Sequence, residues 1–139
     1  MKTNGFHHVA LACRAFDRSV EFYTQTLGFK AAHAWGAAPD RAVLLDVGGG
    51  SFLELFEKPG LKACGCEPPC QCNPVMHFAF HCDDPDAAIA AVRAAGMEVT
   101  MEPKSLPLAG GKNAGGRDVR IAFFKGPDSE LVEFFKVEG

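Results

Sequence analysis

No run of basic residues occurs in this sequence: its 14 lysines and arginines are scattered, and 17 acidic residues leave a net charge of −3. That pattern lacks the electrostatic footprint of a nucleic-acid surface. No stretch approaches the ~20 consecutive apolar residues of a membrane span. The opening MKTNGFHHVALAC, with histidines inside it and Arg14 just beyond, does not read as a secretory signal. The expected location is therefore the cytoplasm, with no nucleic-acid partner and no membrane.

What is present is enough apolar material, 47% over 139 residues, for one domain with a real core. Six cysteines could form three bridges in an exported protein, but without an export signal free thiols are expected. Four of them crowd into CGCEPPCQC, as Cys64, Cys66, Cys70 and Cys72. This spacing departs from the C-x2-C pairs of common structural zinc sites, although four close thiolates are able to hold Cu(I) or Zn. Pro68, Pro69 and Pro74 favour an extended connector.

The stretches on either side of that connector repeat one order of elements. FHHVALAC reads as a strand, AFDRSVEFYTQTLGF as a helix with Phe16, Val20, Tyr23 and Leu27 on one side and Gly28 as its stop. FKAAHAW, RAVLLDV and SFLELFE then read as strands. After the connector, VMHFAFHC predicts a strand and DDPDAAIAAVRAAG a helix, capped by Asp83 or Asp84, with Pro85 in its first turn and Gly96 at its end. MEVTMEP, DVRIAFFK and SELVEFF complete the second set, with LPLAGGKNAGGR between the first two. Each half is β-α-β-β-β, an internal duplication. The predicted fold is α+β: module 1 at about 5–58, a Cys/Pro-rich linker at 59–74 and module 2 at about 75–137, within a single domain spanning 1–139.

Four residues stand at matching places in the two halves. His8 and His77 open the first strands, and Glu54 and Glu133 interrupt apolar runs in the last strands. Strand alternation puts Glu54 on one face with Phe52 and Phe56, and Glu133 with Leu131 and Phe135. A carboxylate among large apolar groups favours its neutral form unless it is paired. A divalent cation bound by imidazole nitrogens and carboxylate oxygens removes that cost.

The motifs HHVALAC, EFYTQTLGF, FLELFE, MHFAF and GPDSELVEF resemble the vicinal oxygen chelate superfamily. Its members include glyoxalase I, methylmalonyl-CoA epimerase, fosfomycin-resistance proteins, extradiol dioxygenases and bleomycin-binding proteins. The resemblance implies two βαβββ modules forming a cupped mixed sheet around a metal, with His8, Glu54, His77 and Glu133 at the ligand positions. Full His-Glu-His-Glu occupancy is most similar to glyoxalase I. It implies a metal-dependent lyase or isomerase that removes a proton next to a metal-bound carbonyl or hydroxyl. Glu133 is the first candidate base and Glu54 the second. The implied cofactor is one divalent metal ion, Zn2+ or Ni2+ first, then Mn2+, Co2+ or Fe2+, and the implied assembly is a homodimer.

Two alternatives belong to the same resemblance: an Fe(II) extradiol-type dioxygenase, for which Glu54 is unnecessary, and a metal-free antibiotic-binding resistance protein. The substrate of the lyase reading is a small molecule: a thiol adduct, a CoA ester or another hydroxy-carbonyl compound. Ala12 stands where the resemblance leads one to expect a glutathione-gripping arginine, and Lys58 where it leads one to expect an asparagine. His81, on the ligand face of its strand, is a candidate substrate contact or a hydrogen-bonded cavity histidine. Lys112 and Arg117, in or beside GGKNAGG, are placed to meet an anionic substrate group if that loop is a flap, and are solvated if it is not. His7 is expected on the face opposite His8, packed beneath a helix. His33 and Trp35 share a face, as cavity wall or dimer contact.

Overall fold

The computed structural model describes residues 3, 5–62, 75–107 and 118–138. The chain divides into two compact units, Met1–Ala63 and Cys64–Gly139. The four linker cysteines, Lys112 and Arg117 lie outside the described residues. Among the described residues no helix is long and apolar enough to cross a membrane.

In the first unit β1 (His8–Cys13) leads into α1 (Phe16–Glu21), which continues as a π-helical turn over Phe22–Thr26. Strands β2 (Lys30–Trp35), β3 (Ala42–Gly48) and β4 (Ser51–Glu57) follow, giving a four-stranded sheet ordered β1-β4-β3-β2. β1 runs parallel to β4, and the remaining pairs are antiparallel. In the second unit β5 (Phe78–His81), α2 (Pro85–Ala94), β6 (Glu98–Pro107), β7 (Asp118–Lys125) and β8 (Leu131–Val137) build the same topology, β5-β8-β7-β6. Here β5 and β8 are the parallel pair. The fold is thus α+β, with two mixed sheets of identical order.

Alternation sorts each sheet into two faces. In β4, Leu53 and Leu55 are buried, and α1 supplies Phe16 and the π-helical turn Phe22 and Tyr23 to the same core. In β7 and β8, Ala122, Phe124, Val132 and Phe134 do the same beside Ile89 and Val92 of α2. The opposite face carries Phe52, Glu54 and Phe56 in the first unit and Leu131, Glu133 and Phe135 in the second.

Three sequence expectations change. The helix predicted over 15–29 ends in a π turn, in which the Leu27 N–H donates to the Phe22 carbonyl. The wider turn brings both Phe22 and Tyr23 into the core, and leaves Val20 and Leu27 only half-buried. β6 continues beyond the predicted MEVTMEP to Pro107. It tolerates Pro103 because it is an edge strand whose register shifts between Met101 and Lys104. Finally, His77 sits one residue before β5 instead of inside it. Asp84, not Asp83, caps α2, accepting from the Ala87 N–H at 3.0 Å. Gly28 and Gly96 follow the two helical segments at φ 76 and 78, where a side chain would be strained.

An arginine clamps helix to sheet in each unit. Arg41 donates to Asp17 in the first turn of α1 at 2.8 Å and to both carboxylate oxygens of Glu57, each at 2.8 Å. Its guanidinium also lies 4.8 Å from the Phe16 ring centroid. Arg120 similarly donates to Asp86, in the first turn of α2. The two arginines are equivalent in register: Arg41 precedes Leu44 by three residues, as Arg120 precedes Phe123, and these two lie opposite Glu54 and Glu133.

Cavity formation sets the expected cost of core truncation. Leu55→Ala should lose about 2–5 kcal/mol and Phe124→Ala about 3–5 kcal/mol, read from urea unfolding; losses under 1 kcal/mol would contradict the assigned core. Hydrogen bonds from Arg41 hold the Glu57 carboxyl below the usual carboxylate range, and those from Arg120 do the same for Asp86. A lowered folded value gives stability that is complete above the ordinary carboxylate pKa of about 4 and is lost as pH falls through the folded value. Arg41→Met should therefore be less stable than the parent at pH 7, with the gap narrowing as pH falls below the ordinary carboxylate range. A gap independent of pH in urea titrations would refute this contribution.

Candidate functional site

The parallel strand pairs place an imidazole beside a carboxylate twice. In the first unit Ala10 lies opposite Glu54, and His8, two residues earlier on the same face, reaches it diagonally. His8 Nε2 is 3.3 Å from Glu54 Oε2. In the second unit Ala79 lies opposite Glu133, and His77, again two residues earlier, brings Nε2 to 3.1 Å from Glu133 Oε2. The residue directly across from each glutamate is alanine, whose small side chain leaves room for the imidazole to pass over it.

The two pairs differ in their surroundings. The His8 side chain is 43% exposed and that of Glu54 15%, whereas the Glu133 side chain is only 9% exposed. Burial pushes the Glu133 carboxyl above its ordinary pKa, opposed by the charge and hydrogen bond of His77. The His77 ring also meets Phe123 edge-on, with centroids 5.2 Å apart. Glu133 is thus a carboxyl whose charged form is costly and whose basicity is raised, a combination suited to receiving a proton.

The donor spacing also fits a cation. Two protein donors each about 2.1 Å from one metal lie about 3.0 Å apart at a right angle and about 3.4 Å apart at the tetrahedral angle. Both observed N–O separations, 3.3 and 3.1 Å, fall in this window. Each unit contains one such pair, and among the described residues no group of three or more His, Cys, Asp or Glu side chains is arranged to hold a metal.

Other sequence candidates take these positions. His81 is exposed on the Glu133 face of β5, opposite Phe135, with ring centroids 6.3 Å apart. Ala12 pairs with Phe56 on the Glu54 face, and Lys58 is engaged by Asp40 at 3.0 Å. The His33 and Trp35 rings stack 5.5 Å apart, and Trp35 meets Phe56 edge-on. His7 does not pack beneath a helix. It precedes β1, is exposed, and lays its ring 5.1 Å from that of Phe52, on the Glu54 side. Its Nδ1 is 2.9 Å from His8 Nδ1. The doublet His7-His8 is the signal in the sequence, but period-two alternation does not apply to His7, which lies before the strand begins.

The family model described as Glyoxalase/Bleomycin resistance protein/Dioxygenase superfamily matches residues 5–134. The chain is 27% identical over 139 residues to an uncharacterized protein, YwkD, of Bacillus subtilis (strain 168), covering 98% of this chain and 99% of that one. It is 28% identical to a probable lactoylglutathione lyase of Vibrio cholerae, covering 98% of this chain and 93% of the other. The crystal structure of SMU.1112c is similar, with a TM-score of 0.72 at 27% identity, over 96% of this chain and 99% of that one. With a match spanning nearly all of both repeats, this chain belongs to the glyoxalase/bleomycin resistance protein/dioxygenase superfamily.

Proposed function

We propose that the protein is a metal-dependent lyase or isomerase of the glyoxalase I type, in which His8, Glu54, His77 and Glu133 hold one divalent cation. The observation that carries the reading is the twice-repeated diagonal His–Glu pair at cation-compatible spacing. Imidazole nitrogen and carboxylate oxygen together suit a borderline ion such as Zn2+ or Ni2+. When bound, that ion would act as a Lewis acid, stabilising charge that builds on a substrate oxygen.

The chain's own residues do the rest. Glu133, on shifting away from the cation, takes the proton from the carbon beside the carbonyl and returns it to the neighbouring carbon. His77, whose Nε2 is 3.1 Å from that carboxylate, would share the cation with it. Glu54 fills the matching position with greater exposure and is the second base candidate. His81, on the same face as Glu133, is a substrate contact, and Lys112 and Arg117 are assigned to an anionic substrate group. The substrate is a small molecule: a thiol adduct, a CoA ester or another hydroxy-carbonyl compound. The name of the Vibrio cholerae relative favours the thiol adduct. Ala12 and the Asp40-bound Lys58 argue for a thiol other than glutathione. Placement in the cytoplasm and assembly as a homodimer belong to the same proposal.

Protein purified without a histidine tag should carry one divalent metal per site by elemental analysis. It should isomerise the hemithioacetal of a 2-oxoaldehyde with at least one member of a panel of small thiols. Glu133→Gln should cut kcat by about 100-fold or more, and Glu54→Ala should lose both metal and turnover. Retention of iron and activity by Glu54→Ala would favour the dioxygenase reading instead. Metal-free protein that binds a flat aromatic drug unchanged would favour sequestration.

A further inference from the structure

The two ligand histidines are not supported in the same way. His77 stands between the buried Glu133 and the edge of the Phe123 ring. At the position equivalent to Phe123 the first unit has Leu44, since each lies opposite its repeat's glutamate. A second imidazole supplies the missing ring. His7 meets His8 edge-on at 5.2 Å between centroids and an interplanar angle of 88°, with the two Nδ1 atoms 2.9 Å apart. His7 is itself held: its carbonyl accepts from the Phe52 N–H at 2.8 Å, and its ring lies against the Phe52 ring. Met76, which precedes His77, offers no such partner.

We propose that His7 is a positioning residue that selects the tautomer of His8 and so controls whether His8 Nε2 can bind a cation. This rests on the reading of His8 as a metal ligand. Two nitrogens 2.9 Å apart share one N–H, so one donates while the other accepts. With Nε2–H of His8 turned to Glu54, His8 Nδ1 accepts, and His7 carries its proton on Nδ1. With the Nε2 lone pair of His8 given to a cation, the His8 proton sits on Nδ1 and His7 Nδ1 accepts, its own proton moving to Nε2. Both states hold two N–H protons on the pair, so the exchange requires no net proton uptake. An outer partner that accepts from a ligand's second nitrogen fixes the ring and strengthens its donation.

The test uses full-length protein with 15N-labelled histidine, free of metal and then titrated with Zn2+ alone, in the parent, His7→Ala and His7→Asn. Asparagine places an amide oxygen near the Nδ1 position and can also donate. In metal-free parent protein a coupling through the hydrogen bond should connect the two Nδ1 nitrogens. On Zn2+ addition the His7 proton should move from Nδ1 to Nε2, although His7 does not bind the ion. His7→Ala should weaken Zn2+ binding by about ten-fold at an unchanged melting temperature, and His7→Asn should restore most of it. Absence of the Nδ1–Nδ1 coupling, or equal Zn2+ affinity in His7→Ala, overturns the assignment of His7. Coupling without saturable Zn2+ binding by the parent overturns the ligand reading of His8, and the role of His7 with it.

Discussion

In a pair of parallel strands, residues directly opposite share a face, and the next position on that face lies two residues along and diagonal. Both repeats use this diagonal in the same way. A glutamate faces an alanine, and the histidine two positions before that alanine leans across to the carboxylate. Moving either strand by one residue would send the histidine or the glutamate to the helix-covered face, where the core is apolar. Register in the parallel pair is therefore what the candidate chemistry depends on.

Several features hold that register. Leu53 and Leu55 in β4, and Val132 and Phe134 in β8, commit one face of each strand to the core. Any slip would exchange them for Glu54 or Glu133. The arginine clamps add a second constraint, tying the strand beside each glutamate strand to the first turn of the packed helix. In the first unit Arg41 also binds Glu57, the buried acid three residues beyond Glu54 on the other face. Two acids on one strand thus meet opposite fates: Glu57 is neutralised by a guanidinium for structure, and Glu54 is left to an imidazole.

The two His–Glu pairs of the candidate site were legible in the sequence because duplication and period-two alternation reinforce each other. Finding His8 and His77, then Glu54 and Glu133, at corresponding places needed only the order of elements. The arginine clamps were not legible in the same way, although they are just as symmetric. Their partners are 24 and 34 residues apart, and a lone surface-like arginine announces no partner. The π turn escaped because a helical stripe assumes one fixed period, and the extension of β6 past Pro103 because proline reads as a stop unless the strand is known to be an edge. The position of His7 is not legible because FHHVALAC continues the apolar alternation to Phe6, whereas the strand starts at His8.

The two carboxylates differ modestly in environment, the Glu54 side chain being 15% exposed and that of Glu133 9%. Burial raises the Glu133 carboxyl above its ordinary range, and the proposed role of first base rests on that environment. The most direct measurement is an anomalous-scattering map at the absorption edge of the metal bound by crystals of the loaded protein. The proposed four-ligand centre requires a single ion within coordination distance of His8 Nε2, His77 Nε2 and one carboxylate oxygen each from Glu54 and Glu133. An ion bound elsewhere, or one that leaves out either His–Glu pair, would contradict it.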